Sequence, residues 1–504
     1  MNLIQTISDC IDKDMIKRWT PEKPVVINAQ TGQGKSYFVM NTLYEYLREN
    51  NMKCLYLIQR VRTKKQFADD LYDKVGRITL MSYQTLEAGV MNDYNNFKNY
   101  DFIICDECHY FTGDSDFNRR TDISFAWIMS QRKSIKVFMS ATIDCFLNLL
   151  TYYTPVWTQP VRLETNYDYI EQLTFYTAEK NIYDIVEDVL NANKKAILFI
   201  QSAELAHNIY EKYKSHMIFS CSPYNKTYAE YMDQAEIEKI ISNESFDANI
   251  LVTTAALDSG LTLKDKNIDT IVVDVLDPET VIQCVGRKRI IDDVDRVRLF
   301  IRGRSNQQIN GIQSKCREKL QRALLLEGNE SRYHSNNERQ NDDSGIVVNI
   351  PVDKSVSGRT LYEKQYNYAK LSKAEYLANT LYPAMLSEEW GYNKYLARYF
   401  GFYDKETGRY TYDVVSPKQK NLRETLDHMT GLEMLTVDDR KPLIDAIHAT
   451  NQKGKVLKSI DTLNGVLKEG GYPHRIMSYS KHTTINGVDK KYRCVWKIVN
   501  PQLV

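Results

Sequence analysis

The chain has 504 residues, with Lys+Arg 66 against Asp+Glu 65 and a formal net charge of +1. So balanced a chain has no global positive field, and a nucleic-acid partner must be held by local basic patches. With 43% hydrophobic residues it can bury a large core, yet no run approaches the ~18 apolar residues of a membrane span.

The N-terminal stretch MNLIQTISDCIDKDMIKRW is too acidic to read as a signal peptide. Nine scattered cysteines fit free thiols in a reducing compartment, which points to the cytoplasm, of a host cell if the chain is phage-encoded. Cys105 and Cys108 form the one CxxC, without a second pair or a His at zinc spacing.

In chain order, short apolar runs alternate with amphipathic stretches: PVVINA (24–29), CLYLI (54–58), DFIICD (101–106), KVFMS (136–140), AILFI (196–200), NILVTT (249–254) and DTIVVDV (269–275). Continuously apolar runs of this length suit strands of a parallel sheet covered on both faces. The alternation predicts an α/β fold in two halves, broken near TYYTPVWTQP (151–160). After 299–303 the strand pattern stops.

A helix over 307–326 then leads into EGNESRYHSNNERQNDDSG (327–345), a polar loop or linker. Tyrosine-rich stretches at 361–385 and 388–402 show helix-like spacing. The chain closes with a helix over 456–469 and a basic, aromatic hairpin turning at Asn486-Gly487. The expected division is 1–155, 156–305, a helix and linker over 306–355, and a mainly helical region over 356–504 that ends in a winged-helix-like hairpin.

Ala29-Gln30-Thr31-Gly32-Gln33-Gly34-Lys35-Ser36 follows a strand and opens a helix, the context of a phosphate-binding loop. Gly32 and Gly34 let backbone N–H groups curl around phosphate at the positive end of the helix. Lys35 would neutralise β and γ oxygens, and the Ser36 hydroxyl would ligate Mg²⁺. About seventy residues on, DFIICDECHYF ends a strand in two carboxylates. Asp106 would hold Mg²⁺, Glu107 would polarise the attacking water, and His109 would couple this site to the nucleic-acid side.

With these motifs on one chain, residues 25–304 resemble superfamily 2 helicases of the DEAD/DEAH-like kind, in a DECH-box variant of phage or mobile-element type. The resemblance implies two tandem RecA-like parallel-sheet domains with a mainly helical C-terminal accessory region. It places Arg60 and Gln66 in motif Ia. ITLMSYQTLE (78–87) looks like the strand and helix start that grip the phosphodiester backbone, with Ser82 and Thr85 at its hydroxyl positions, and Ser140 and Thr142 fall in motif III. AILFIQSAELA (196–206) looks like motif IV. In motif V, Thr254 lies near the nucleic-acid backbone and Gly260 near the nucleotide.

VIQCVGRKR (281–289) looks like motif VI, with Gln283, Arg287 and Arg289 catalytic. The family's second arginine stands three residues after the first. Here Arg289 comes one residue early, and Ile290 takes the usual place. No convincing adenine-reading motif precedes the phosphate loop, so ATP is implied by the family alone. The implied activity is a nucleic-acid-dependent ATPase using ATP and Mg²⁺, a helicase or translocase acting on DNA ahead of RNA in replication, recombination or repair. A duplex translocase that never unwinds, and an ATP-dependent P-loop switch in an assembly, are the alternatives.

Overall fold

A computed structural model describes residues 5–59, 76–92, 99–118, 120–254, 261–328, 333, 345–354, 360–415, 422–447, 449, 456–485 and 488–500. The chain forms two compact units, Met1–Val414 and Val415–Val504. The first holds two parallel sheets, the tandem RecA-like arrangement expected from the strand runs.

In the first lobe the strands are β1 (Val25–Asn28), β2 (Cys54–Ile58), β3 (Ile78–Ser82), β4 (Phe102–Asp106), β5 (Ile135–Ser140) and β6 (Val161–Arg162), in spatial order β3-β2-β4-β5-β1-β6. The alternation of side chains explains the apolar runs. On β2, Cys54, Tyr56 and Ile58 face one core, while Leu55 and Leu57 face the other. Both faces are covered, so neither alternate set can be polar.

The second lobe repeats the scheme with β7 (Ile170–Tyr176), β8 (Lys195–Ile200), β9 (Met217–Ser220), β10 (Ile250–Thr253), β11 (Ile268–Asp274) and β12 (Val297–Arg302). Six parallel strands run in the order β7-β12-β11-β8-β10-β9. Ile197 and Phe199 of β8 face one core, and Ala196, Leu198 and Ile200 the other.

The helix Asn306–Gly328 follows. Of the polar stretch read over 327–345, residues 329–332 and 334–344 lie outside the described residues. One expectation is corrected here: the stretch from 361 does not begin as a helix. Thr360–Tyr366 is a strand, β14, paired antiparallel with β13 (Val347–Lys354). The helix starts only at Tyr368, where the Asn367 side chain accepts a hydrogen bond from Lys370 N at 3.0 Å and caps it. Tyr362 and Tyr366 stand four apart, a spacing that imitates a helix face but here lies within a ladder.

The helical segment after Asn367 touches both lobes. Asn148 donates to the Ser372 carbonyl and hydroxyl at 3.0 Å, and Lys373 pairs with Asp116 at 2.7 Å. Further on, the Tyr392 hydroxyl donates to the carbonyls of Val275 and Leu276 at 3.2 and 3.0 Å.

The second unit orders its elements as helix Leu422–Met429, strand Glu433–Met434, helices Val437–Ile447 and Ile460–Glu469, then strands Arg475–Ile485 and Val488–Val499. The last strand lies between the other two. Leu426, Leu443, Leu463, Leu467, Ile476, Trp496 and Ile498 fill its core. The hairpin read from the sequence is present, and its turn at 486–487 lies outside the described residues.

Candidate nucleotide site between two lobes

β4, β5 and β1 are neighbours in the first sheet, so the loops after their C-terminal ends meet. The loop after β1 turns through two left-handed glycines, Gly32 at φ +101° and Gly34 at φ +80°. Such backbone is strained for any residue with a Cβ. Gln30 N donates to Gln33 Oε1 at 2.6 Å, and Gln33 Nε2 donates to the Glu164 carbonyl at 2.6 Å, which braces the turn. Lys35 then opens the helix and is buried.

Lys35 Nζ donates to the Ala29 carbonyl at 3.2 Å and pairs with Glu107 Oε1 at 2.9 Å. His109 Nδ1 lies 3.3 Å from Glu107 Oε2 and 2.8 Å from Ser140 Oγ, which in turn accepts from Thr142 N at 3.1 Å. One polar chain therefore runs through the loops after β1, β4 and β5. Glu107 itself sits at φ +49°, left-handed backbone that a non-glycine residue holds only when its surroundings impose it.

The two carboxylates differ in acidity for identifiable reasons. Burial, with the Glu107 carboxylate beside it, pushes Asp106 up to about 6. Burial also opposes the charged form of Glu107, but the Lys35 ammonium and the His109 ring outweigh it and hold its carboxyl well below the usual range. Glu107 is thus the more readily ionised of the two.

Tyr56, read from the sequence only as an apolar strand residue, donates from its hydroxyl to Asp106 Oδ2 at 3.1 Å and also lies in hydrogen-bonding reach of Ser36. Tyr83 donates to the Asp106 carbonyl at 2.8 Å. A hydroxyl and a carboxylate grouped on one tyrosine suit Mg²⁺, which keeps several waters and shares phosphate oxygens. Among the described residues no group of three or more His, Cys, Asp or Glu could hold a metal alone. Cys105 and Cys108 are buried free thiols.

The second lobe supplies the opposite wall. After β11, the helix Pro278–Val285 is capped by Asp277, whose carboxylate accepts from Thr280 N at 3.1 Å. It buries Gln283 and ends at Gly286. A Cβ on Gly286 would meet Thr31 Oγ1 at 3.3 Å, and one on Gly32 would meet Arg289 Nη1 at 2.9 Å. The phosphate loop and the arginine loop are in contact.

Arg287 Nε is buried without a hydrogen-bond partner. Burial and the charge of Arg287 bring Arg289 down to about 10. An anion bound beside Arg289 would favour its charged form.

Other residues named from the sequence sit apart from this cluster or serve the backbone. Ser82 Oγ accepts from Thr85 N at 3.1 Å and contacts Thr85 Oγ1 at 2.8 Å, so the two hydroxyls cap the helix Tyr83–Met91. Thr254 N donates to the Ser220 carbonyl at 3.2 Å, and its hydroxyl is buried without a partner. Arg60, Gln66 and Gly260 lie outside the described residues. Sequence reasoning also missed Tyr399, whose hydroxyl accepts from Gln30 Nε2 at 2.5 Å. Its helix looked like core packing, and nothing in the local sequence links it to the phosphate loop.

A scan against protein-family models finds no match, and a search of curated proteins finds none. Among solved structures, S. cerevisiae Dbp5 bound to RNA and ADP BeF3 is similar at 13% identity over 58% of this chain and 82% of that one, with a TM-score of 0.43. Mss116p bound to ssRNA and AMP-PNP shares 14% identity over 56% and 66% of the two chains, TM-score 0.42. The DUF1998 helicase MrfA bound to DNA shares 14% over 57% and 45%, TM-score 0.42. Likenesses this distant do not carry a function. Among the described residues, no helix is long and apolar enough to cross a membrane.

Proposed function

We propose that the chain is a nucleic-acid-stimulated ATPase of the superfamily 2 helicase kind, whose two lobes close on ATP to drive movement along one strand. The observation that carries this reading is the contact of Arg289, on the second lobe, with Gly32 in the phosphate loop of the first. Neither lobe alone assembles that set of groups.

The chemistry follows from the charges. The Gly32–Gly34 turn and the helix start present N–H groups to the β-phosphate. Mg²⁺, held by Ser36 and Asp106 with the nucleotide, would neutralise phosphate oxygens. Lys35 now pairs with Glu107; a γ-phosphate entering beside it competes for the ammonium and leaves the Glu107 carboxylate free to orient water and accept its proton. Arg287 and Arg289 close over the charge that develops on the γ-phosphate. The His109–Ser140–Thr142 chain runs from that base into the loop after β5, so a change at Glu107 is felt where the lobes meet.

In the second unit, helix, strand, two helices and a hairpin follow the winged-helix-like order. Lys491 is exposed on the hairpin, where it can meet a phosphate. DNA is the first track to test. A pure nucleotide switch would need neither an ionised Glu107 nor the crossing arginines.

The test is ATP turnover by wild type and Glu107→Gln, with single-stranded DNA, duplex DNA or RNA over a salt series. Stimulation by one polymer, lost in the variant and falling steeply with salt, supports the motor and names its track. Equal turnover with and without every polymer would remove the nucleic-acid reading and favour the switch.

A further inference from the structure

Motif VI is compressed in this chain, and the geometry around Lys288 accounts for it. Leu263 N donates to the Arg287 carbonyl at 2.9 Å, and Arg289 N donates to the Leu263 carbonyl at 2.8 Å. Lys288 and Leu263 thus form a parallel bridge, which holds 287–289 extended. In extended backbone, side chains two apart share a face and the one between points away. The Arg-Lys-Arg order therefore directs both arginines to one side and Lys288 to the other.

Lys288 points into the lobe. Its side chain and that of Asp295 are each 0% exposed, and Lys288 Nζ meets Asp295 Oδ2 at 2.5 Å. The same ammonium donates to the Arg289 carbonyl at 3.0 Å, and Asp295 Oδ2 also accepts from Ile291 N at 3.1 Å. The pair thus pins the backbone on both sides of Ile290, directly after the arginines. Asp295 Oδ1 remains buried without a partner. A buried ion pair with an unsatisfied oxygen is a poor way to stabilise a core, because apolar residues of equal volume serve as well or better. What it supplies here is a fixed path for the loop.

We propose that Lys288 and Asp295 are positioning residues for hydrolysis: their buried pair holds the shortened motif so that Arg287 and Arg289 both face the phosphate loop. This inference rests on the ATPase reading above. It explains how two arginines two residues apart can serve one site.

The experiment compares wild type, Arg289→Ala and the double variant Lys288→Met/Asp295→Leu, which removes both charges and keeps the bulk. Thermal unfolding, ATP affinity and kcat at saturating nucleic acid are measured on the full chain. The double variant should unfold no earlier than wild type and bind ATP as tightly, since the phosphate loop lies on the other lobe. Its kcat should fall ~10²-fold, the scale of a misplaced catalytic group.

A kcat equal to wild type, with Arg289→Ala inactive, would overturn the positioning role and leave the ATPase reading standing. Absence of turnover in wild type with every polymer would overturn both. Should the double variant not fold, Asp295→Asn decides instead: a kcat loss without an affinity loss supports the inference, and an unchanged kcat overturns it.

Discussion

At the residue scale, unequal surroundings give the two neighbouring carboxylates different acidities. Glu107 lies between Lys35 and His109, while Asp106 lies in a tyrosine-lined pocket. Glu107→Gln should therefore keep nucleotide binding and lose hydrolysis by ~10²–10⁴-fold, the usual scale for a general base. Equilibrium binding of a fluorescent ATP analogue beside steady-state turnover separates the two.

Tyr56→Phe removes a buried donor from Asp106 and should lower stability by about 1–3 kcal/mol, read from chemical unfolding. No local sequence signal marks Tyr56, because a tyrosine among Cys, Leu and Ile reads as strand packing. The hydroxyls of Ser82 and Thr85 carry a role that the motif did not suggest: their bonds in the structure are those of a helix cap.

At the element scale, the strands were the most legible part. Each apolar run named from the sequence is a strand, since double-sided burial leaves no place for polar residues along it. The tyrosine-rich stretch after 360 was less legible, for the same four-residue spacing fits a helix face and a ladder. Asn367 carried the missing signal as an N-cap. Asn367→Ala should cost the helix Tyr368–Tyr376 about 1 kcal/mol. That corresponds to roughly fivefold faster amide exchange in its first turn, with slower or unchanged exchange counting against the cap.

At the scale of the whole molecule, the sequence order of the runs anticipated two parallel-sheet lobes, but not what holds the arginine loop or which helix reaches the phosphate loop. Those depend on contacts between residues far apart in the chain, such as Gln30 with Tyr399 and Lys288 with its neighbours around Leu263. The exposed hairpin of the second unit belongs to the same scale. If Lys491 and Lys497 meet nucleic-acid phosphates, replacing both with Ala should flatten the salt dependence of binding by about one unit of slope per lost contact. An unchanged slope would remove the hairpin from the track.

The most direct test of a site shared between lobes is Arg289→Ala, with ATP affinity and turnover measured on the same preparation at saturating nucleic acid. The account predicts affinity close to wild type and turnover lower by about 10³-fold, as for an arginine acting across a cleft. Turnover equal to wild type would mean that Arg289 takes no part in the chemistry and would contradict the account.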